Sequence, residues 1–350
     1  MKKILITSLK GDLSGVPIYT KTIAANLNDK FKFIIVTADK DNLFKNLNNL
    51  KNISIIEVGF SNSFSPVNFL KALFTLKRII KIYSPDIVHL QGTLFGVLGR
   101  LVKHKRIIYT YHGIPFDKGM PFIKRIIFFS IEKILSLKKS IQNIALTESN
   151  KESLIKIGYK NTVIIENFSR VDTPVDVDFS FKKRKSIICV GGFRNQKNYN
   201  YLFKLFNKLP EDFSLSIAGT DTNSFEFKNL AKSLTSIEKY DKINFLGSIT
   251  DIANQFQEHE VYIQTSIYEG FSLAAIEARA FGLKLALSNT SGTKEITRDY
   301  EPSVILDFKT ETDSQKIQDL INLDYFNDYK LRNPFTQQKF INKIKKLYEK

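Results

Sequence analysis

The sequence predicts an α/β protein made of two doubly wound, Rossmann-like domains in tandem. Short runs rich in β-branched residues alternate with longer helical patterns such as Ile18–Leu27 and Phe69–Tyr83, and this alternation starts again after a polar stretch in the middle of the chain. Such alternation indicates a parallel sheet covered by helices on both faces. Two such domains would face each other across a cleft, with the carboxyl ends of both sheets turned towards it.

The predicted strands are short and almost continuously apolar, as expected of strands that are buried on both faces. Those of the first half are Ile4–Thr7, Phe33–Thr37, Ile53–Val58, Ile87–Leu90, Ile107–Thr110, Ile144–Leu146 and Val163–Ile165. Those of the second half are Ile187–Val190, Leu215–Ala218, Ile243–Leu246, Val261–Gln264, Leu285–Ser288 and Val304–Leu306. The N-terminal run is interpreted as a buried strand rather than a secretion signal, because Lys10 and Asp12 end it early.

The domain boundary is expected in the polar stretch Arg170–Lys185, which Pro174 interrupts. We therefore expect a first domain over residues 1–170 and a second domain over residues 171–330. Residues 331–350 carry a basic amphipathic pattern, which predicts a C-terminal helix.

Positive charge is concentrated in the first domain. The chain has 52 basic and 35 acidic residues, which give a formal net charge of +17. Residues 1–170 hold 27 of the basic and 11 of the acidic residues, or +16, and +1 is left for the remainder. A nucleic acid, an anionic membrane or a phosphate-rich substrate could use such a charge. Because no nucleic-acid module is recognisable and the basic runs are interleaved with aliphatic residues, we expect no nucleic-acid partner.

Cysteine content and hydropathy indicate a cytoplasmic location. The single cysteine, Cys189, excludes a disulfide framework and fits a reducing compartment. No stretch approaches the roughly 18 apolar residues that a membrane-spanning helix needs. Two segments, Pro66–Tyr83 and Pro121–Ser140, nevertheless combine basic with large apolar residues. We interpret them as amphipathic helices that bind an anionic membrane surface, the alternative being core-packed helices with a solvated basic edge.

One strand-to-helix turn, within Gln264–Ile296, has the features of a site for a phosphorylated sugar. Glu269 lies in the polar turn, and the N–H groups of residues 271–273 are expected to be free at the start of the helix. Glu277 lies on that helix among small or apolar neighbours, so its carboxylate needs a partner. Carboxylates accept hydrogen bonds from sugar hydroxyls, and a helix N-terminus attracts a diphosphate. The turn therefore fits a nucleotide-diphosphate sugar.

The turn after the first strand is less informative. Gly11 and Gly15 have GxxxG spacing, whereas a dinucleotide-binding turn has GxGxxG spacing. The pattern gives little support to a nicotinamide enzyme, and a tight turn that needs glycine dihedrals explains it equally well.

The element EGFSLAAIE, followed by ARAFGLKLALSNTSGTKEI, resembles the donor-binding signature of glycosyltransferase family four, whose members are retaining enzymes of the GT-B fold. Other segments resemble the same family in the same order: SGVPIYTKTIAANL, SPDIVHLQG, TYHG, ALTESNKESLIKIGY with VIIENFSRVD, VGGFRNQKN, IAGTD and FLGSITD. The resemblance spans residues 1 to about 300 and is specific, because unrelated proteins seldom match a series of ordered motifs. It also implies that the C-terminal helix crosses back onto the first domain.

The resemblance implies a role for each matching position. Glu269 would hydrogen-bond the transferred sugar, and His112 would lie near the reacting sugar. The diphosphate of the donor would be held by Gly15, Lys197 and the N–H groups of Phe271, Ser272 and Leu273. Glu277 would hold the ribose, and backbone around Ile249 would meet the base. The family usually has an arginine where this chain has Gly192, and Arg194 is the candidate to replace it.

No metal site is expected. The two DxD strings, residues 39–41 and 176–178, lie in a loop and in the linker, so we interpret them as solvated surface carboxylates. His89 is expected to pack or to cap a strand end, and His104 and His259 are expected to face solvent.

We therefore expect a retaining, metal-independent enzyme of the hexosyltransferase type that has no resident cofactor. Its donor would be a UDP- or GDP-linked sugar, and its acceptor a lipid-linked or growing cell-surface glycan. The enzyme would associate peripherally with the inner face of a membrane through its first domain. The alternatives are another GT-B enzyme, such as a sugar-nucleotide epimerase or a phosphorylase, and a basic nucleic-acid-binding protein.

Overall fold

The computed structural model divides the chain into two compact units. They comprise Met1–Asn167 with Gln338–Lys350, and Phe168–Gln337. The residues that the structure describes are 1–11, 14–37, 42–47, 49–59, 65–117, 119–170, 182–323 and 333–350. The N-terminal segment of the first unit thus ends at Asn167, and the C-terminal residues 338–350 belong to the same unit.

The first unit is a parallel sheet with helices between its strands. The strands are β1 (Lys3–Thr7), β2 (Lys32–Thr37), β3 (Ile53–Glu57), β4 (Ile87–Gln91), β5 (Ile107–Tyr111), β6 (Ile141–Ala145) and β7 (Thr162–Ile164). The helices are α1 (Gly15–Leu27), α2 (Pro66–Tyr83), α3 (Thr93–Leu101), α4 (Phe122–Leu135) and α5 (Glu148–Ile157). The strand order is β3-β2-β1-β4-β5-β6-β7, which is doubly wound about β1.

The second unit repeats this architecture. Its strands are β8 (Lys183–Val190), β9 (Ser214–Ala218), β10 (Ile243–Gly247), β11 (His259–Gln264), β12 (Lys284–Ser288) and β13 (Ser303–Leu306), in the order β10-β9-β8-β11-β12-β13. Its helices are α6 (Tyr199–Lys208), α7 (Phe225–Leu234), α8 (Ile237–Tyr240), α9 (Ala253–Glu258), α10 (Leu273–Ala280), α11 (Thr293–Thr297) and α12 (Thr310–Asn322). Every predicted strand overlaps an observed one, and the predicted fold class is confirmed.

The C-terminal helix α13 (Gln337–Glu349) packs on the first unit from Gln338 onwards. Phe340, Ile344 and Leu347 form the apolar stripe of the helix and are buried. Lys2 Nζ donates hydrogen bonds to the carbonyl oxygens of residues 348 and 349, at 3.0 and 2.8 Å. A lysine at this end satisfies carbonyls that the last turn leaves free and complements the helix dipole.

The two apolar and basic segments form α2 and α4, and both leave large apolar side chains exposed. On α2 these are Val67, Leu70, Phe74, Ile82 and Tyr83, and on α4 they are Phe122, Ile123, Ile126, Ile127, Phe129 and Ile134. Those of α4 are between 46% and 72% exposed. The fully buried residues of α4 are Glu132 and Leu135, so this helix is not a core-packed helix whose basic edge alone meets solvent.

A fully buried ion pair attaches α4 to α3. Arg100 on α3 donates two hydrogen bonds of 2.7 Å to the carboxylate of Glu132 on α4. The hydroxyls of Tyr111 and Tyr159 donate to the same carboxylate at 2.6 and 2.8 Å. Burial raises the pKa of Glu132, but the hydrogen bonds and the charge of Arg100 outweigh burial and hold that pKa below its ordinary value. The carboxylate is therefore charged and has partners in the core.

We expect Glu132→Gln to lower the free energy of unfolding by about 3 to 5 kcal/mol, because it leaves the Arg100 charge buried without a counterion. Urea unfolding followed by circular dichroism measures this loss. The pair stabilises the native state above the unfolded carboxyl pKa of about 4.3, and this contribution is lost as the pH falls through the lower native pKa. The difference between wild type and variant should therefore shrink in acid.

Glu148→Gln is the matched control, since Glu148 is exposed and its contact with Lys151 is a surface ion pair. A loss for Glu132→Gln no larger than for this control would contradict a stabilising role for the buried pair.

Candidate functional site

The candidate donor site lies at the carboxyl edge of the second sheet. Strands β8 and β11 are parallel neighbours, so the segments that follow them leave the sheet side by side. After β8, a 3₁₀ turn covers Asn195–Lys197, and after β11 comes the polar segment 265–270.

Hydrogen bonds tie these two segments together. The hydroxyl of Thr265 donates to the carbonyl of Lys197 at 2.9 Å, and the N–H of Ile267 donates to the carbonyl of Gln196 at 2.9 Å. The side-chain amide of Gln196 returns a hydrogen bond of 2.8 Å to the carbonyl of Tyr268. The two loops therefore form one hydrogen-bonded surface.

On this surface Lys197 meets Glu269. The Nζ of Lys197 lies 2.7 Å from Oε2 of Glu269, and the hydroxyl of Ser266 lies 3.4 Å from the same oxygen. The two charged side chains are 20% and 19% exposed, so each remains within reach of a ligand. The structure thus brings together an ammonium group, which suits a phosphate, and a carboxylate, which suits sugar hydroxyls.

The glycines before the turn differ in the space around them. A Cβ on Gly191 would lie 2.8 Å from Cε of Lys197, so glycine is needed for the lysine stem to lie against the backbone. A Cβ on Gly192 would meet its nearest neighbour, the carbonyl oxygen of Thr220, at 3.4 Å, an ordinary contact distance. Arg194, the residue before the 3₁₀ turn, is exposed. The backbone therefore has room for a side chain at position 192.

Helix α10 begins later than the sequence predicted. Ser272 is its N-cap, and the hydroxyl of Ser272 accepts a hydrogen bond from the N–H of Ala275 at 3.3 Å. Leu273 is the first helical residue, and Phe271 precedes the helix with its ring buried against Phe335. The serine hydroxyl satisfies an N–H group of the first turn, which sets the start of the helix.

The partner that Glu277 needs is Arg170, which sequence reasoning did not identify as a site residue. Nε of Arg170 donates to Oε1 at 2.5 Å and Nη2 donates to Oε2 at 2.8 Å. Glu277 is fully buried, whereas the Arg170 side chain is 34% exposed. The apolar neighbours of Glu277 signalled that a partner was required, but nothing local pointed to a residue 107 positions away.

The remaining predicted residues are distributed over both units. Ile249 is half-buried in the loop after β10, at the same edge as the two loops above. Gly15 and His112 belong to the first unit, where Gly15 is the exposed first residue of α1 and His112 directly follows β5. Nε2 of His112 lies 2.8 Å from Oε1 of Gln91. Burial lowers the pKa of His112 to about 3, so its imidazole is neutral near neutral pH.

The other histidines have structural roles. The ring of His89 is fully buried and hydrogen-bonded, as a packing histidine should be. The prediction for His259 was wrong: its ring is buried, Nδ1 lies 2.6 Å from the carbonyl of Gln255 and Nε2 lies 2.8 Å from the hydroxyl of Ser216. His104 is half-buried rather than solvated: its Nδ1 accepts a hydrogen bond from the N–H of Arg106 at 3.1 Å, and its Nε2 lies 3.0 Å from the carbonyl oxygen of Pro85. The predictions were based on charged neighbours in the sequence, which do not indicate the contacts that a side chain makes with other segments of the fold.

Both DxD strings fall outside the described residues. Among the residues that the structure describes, no three histidine, cysteine, aspartate or glutamate side chains form a group that could hold a metal ion. Within the same part of the chain, none of the helices has the length and apolar character needed to cross a bilayer.

Comparison with known proteins finds family models over both halves of the chain. The model described as Glycosyltransferase Family 4 matches residues 13–173, and the model described as Glycosyl transferases group 1 matches residues 176–341. An Escherichia coli UDP-Gal:alpha-D-GlcNAc-diphosphoundecaprenol alpha-1,3-galactosyltransferase is 24% identical over 315 residues, which are 81% of this chain and 80% of the relative. A Campylobacter jejuni N,N'-diacetylbacillosaminyl-diphospho-undecaprenol alpha-1,3-N-acetylgalactosaminyltransferase is 24% identical, with 81% and 80% covered.

Solved structures show the same fold. A glycosyltransferase from Rickettsia africae superposes with a TM-score of 0.75 at 21% identity, with 99% of this chain and 98% of that chain covered. Anabaena HepE in complex with UDP-glucose superposes with a TM-score of 0.77 at 17% identity, with 100% of both chains covered. The two parallel-sheet units are thus those of a GT-B fold, and the protein belongs to glycosyltransferase family four.

Proposed function

We propose that the protein transfers a sugar, with retention of configuration, from a nucleotide-diphosphate sugar to a lipid-linked or growing surface glycan. The observation that carries this proposal is the contact between Lys197 and Glu269 at the carboxyl edge of the second sheet. A diphosphate requires cations or N–H groups, and a sugar requires hydrogen-bond acceptors. This edge supplies both next to the capped start of α10.

The departure of a nucleoside diphosphate needs stabilisation of its growing negative charge. In the proposed mechanism Lys197 supplies the nearest cation, Arg194 a second one, and the N-terminus of α10 a partial positive charge. With these groups the reaction needs no metal ion. Glu269 holds hydroxyls of the transferred sugar, Glu277 holds the ribose, and backbone at Ile249 meets the base. Gly15 is proposed to contact the diphosphate.

His112 is proposed to act at the reacting sugar as a neutral imidazole. Because Oε1 of Gln91 can only accept a hydrogen bond, Nε2 of His112 carries the proton, and the lone pair of Nδ1 is left as an acceptor. Burial lowers the pKa of His112, so in the proposed mechanism this histidine acts as a neutral group near neutral pH. In this mechanism the stabilising charge is therefore supplied by the groups of the second unit.

A UDP-linked donor and a diphospho-lipid acceptor have support from the similar proteins. The Escherichia coli relative is named for UDP-Gal, and HepE was solved with UDP-glucose. The two relatives described above are both named for acceptors linked to diphosphoundecaprenol. An acceptor of this type resides in a membrane, so the enzyme has to work at a lipid surface.

We also propose that α4 docks the enzyme on an anionic membrane. Its exposed isoleucines and phenylalanines are accompanied by Lys124, Arg125 and Lys133 on the same helix. Apolar side chains that enter the acyl boundary and basic side chains that meet anionic headgroups are the two components of interfacial binding. This explains both the location of the excess charge and the exposed apolar residues.

Lys197→Ala and Glu277→Ala should each lower sugar transfer by about a hundredfold, because each removes a group that binds the donor. Release of nucleoside diphosphate in the presence of a lipid-linked acceptor measures transfer. The controls are Lys232→Ala and Glu226→Ala, which remove exposed charges on α7. Near-normal turnover of either site variant would overturn the site assignment, and release of no nucleoside diphosphate by the wild type from any nucleotide sugar would overturn the proposed function.

Arg194→Ala should raise the KM for the donor by about tenfold, since it removes a charged hydrogen bond to the diphosphate. The double variant Gly192→Arg with Arg194→Ala should recover most of that loss, because the backbone at position 192 has room for a side chain. Steady-state kinetics with varied donor measure both effects. Arg184→Ala, an exposed arginine at the opposite end of β8, is the control. An unchanged KM for Arg194→Ala would contradict a role for this arginine.

Ile123→Ser combined with Ile127→Ser should weaken binding to vesicles containing phosphatidylglycerol by about tenfold, because two exposed isoleucines no longer enter the lipid. Vesicle sedimentation at low salt measures binding. Phe225→Ser combined with Ile237→Ser removes two exposed apolar side chains from the second unit and should leave binding unchanged. Equal binding by both double variants and the wild type would rule out docking through α4.

A further inference from the structure

We propose that Tyr348, on the C-terminal helix, is a positioning residue for His112 and acts through His89, Thr110 and Tyr19. The inference rests on the proposed role of His112 in sugar transfer. It assigns a function in the reaction to the last turn of the chain, which holds none of the predicted site residues.

A row of polar side chains crosses the sheet at β4 and β5. His89 and Gln91 alternate along β4, and Thr110 and His112 alternate at the end of β5, with Gln91 paired to Thr110 in the register. Residues two apart on a strand point to the same face. His89, Gln91 and Thr110 are fully buried and His112 is half-buried, and burial of polar groups is unfavourable unless they are hydrogen-bonded.

The helix α13 supplies the first partner of this row. The hydroxyl of Tyr348 lies 2.6 Å from Nδ1 of His89, and Nε2 of His89 lies 2.8 Å from the hydroxyl of Thr110. Burial lowers the pKa of His89 to about 3, so its ring is neutral and has one donor and one acceptor. A phenol is the better donor, so Tyr348 donates to Nδ1 and Nε2–H donates to Thr110. The hydroxyl of Tyr348 therefore fixes the tautomer of His89.

Tyr19 connects this chain to His112. Its hydroxyl lies 3.5 Å from that of Thr110, and its ring meets the ring of His112 edge-on at a centroid distance of 4.9 Å. The Tyr19 ring also contacts Phe340 of α13, at 4.8 Å. The helix thus contacts the support of His112 twice, through Phe340 directly and through Tyr348 by way of His89.

Packing alone does not explain the hydroxyl of Tyr348. The ring of Tyr348 contacts the rings of Phe31 and Phe33, and the neighbouring Ile344 and Leu347 are buried. A phenylalanine would keep these contacts. The hydroxyl adds a hydrogen bond at the end of the row that leads to His112.

The test is Tyr348→Phe, which keeps the ring and removes the hydroxyl. We expect kcat for sugar transfer to fall by about tenfold, because an imperfectly placed catalytic group reacts more slowly, while the KM for the donor stays unchanged. In a His112→Ala background the same change should have no further effect. If the hydroxyl of Tyr348 served stability alone, Tyr348→Phe would lower the melting temperature. Its effect on kcat would then be the same in the wild-type and His112→Ala backgrounds.

Tyr159→Phe is the matched control, since it removes another buried hydroxyl of the first unit, 2.8 Å from Glu132 and outside the row. It should leave kcat unchanged. Thr110→Val keeps the shape of the side chain and removes the hydroxyl that lies between His89 and Tyr19. It should reproduce the loss in kcat, and it tests the same row of hydrogen bonds if Tyr348→Phe does not fold.

Three outcomes would overturn the inference while leaving the proposed sugar transfer itself intact. They are a kcat of Tyr348→Phe equal to that of an active wild type, an equal loss in the His112→Ala background, and full activity of His112→Ala itself. Inactivity of the wild type with every nucleotide sugar would instead reject the proposed function.

Discussion

Every strand pairing in both sheets is parallel, and this arrangement decides where polar side chains can meet. Parallel strands end at one edge, so residues that are distant in the sequence but follow neighbouring strands lie together. Lys197 and Glu269 are 72 positions apart and touch because β8 and β11 are neighbours. His112 and Gln91 meet in the same way after β5 and β4. Each unit therefore brings polar side chains together at the carboxyl edge of its own sheet.

Each unit also contains a buried carboxylate paired with an arginine, but the two pairs differ in access to solvent. Glu132 and Arg100 are both fully buried in the core, so their pairing has a structural role and is out of reach of a ligand. Glu277 is equally buried, yet Arg170 reaches the surface. A ligand hydroxyl that approached Glu277 would have to share the carboxylate with this guanidinium. A pair of this kind can hold a binding group in place and still admit a ligand.

The sequence predicted the strands well because the apolar runs are local signals, whereas contacts across a sheet are not. The strand β6 begins at Ile141, three residues before the predicted start. The prediction missed this part of the strand because Gln142 and Asn143 are polar and interrupt the apolar run. His259 was expected to face solvent because its sequence neighbours are charged. Instead it is buried and contacts Ser216, which lies on a strand two positions away in the sheet. The pairing of Glu277 with Arg170 joins two such distant segments. Hydrophobic periodicity identifies strands and helices, but the contact partners of a side chain depend on how those elements are arranged in the fold.

In the proposed membrane docking, α4 accounts for part of the excess charge and of the exposed apolar surface of the first unit. This helix has Glu132 and Leu135 as its fully buried residues, and an ion pair supported by two tyrosine hydroxyls attaches it to the core. The exposed apolar side chains of α4 lie away from the contacts that Glu132, Leu135 and Ile131 make with the core. Those side chains are left on the surface beside lysines and an arginine, where burying them against lipid would be favourable. In the proposed function, the near-neutral second unit would bind its donor with a few placed groups, without a general positive field that would retain the product diphosphate.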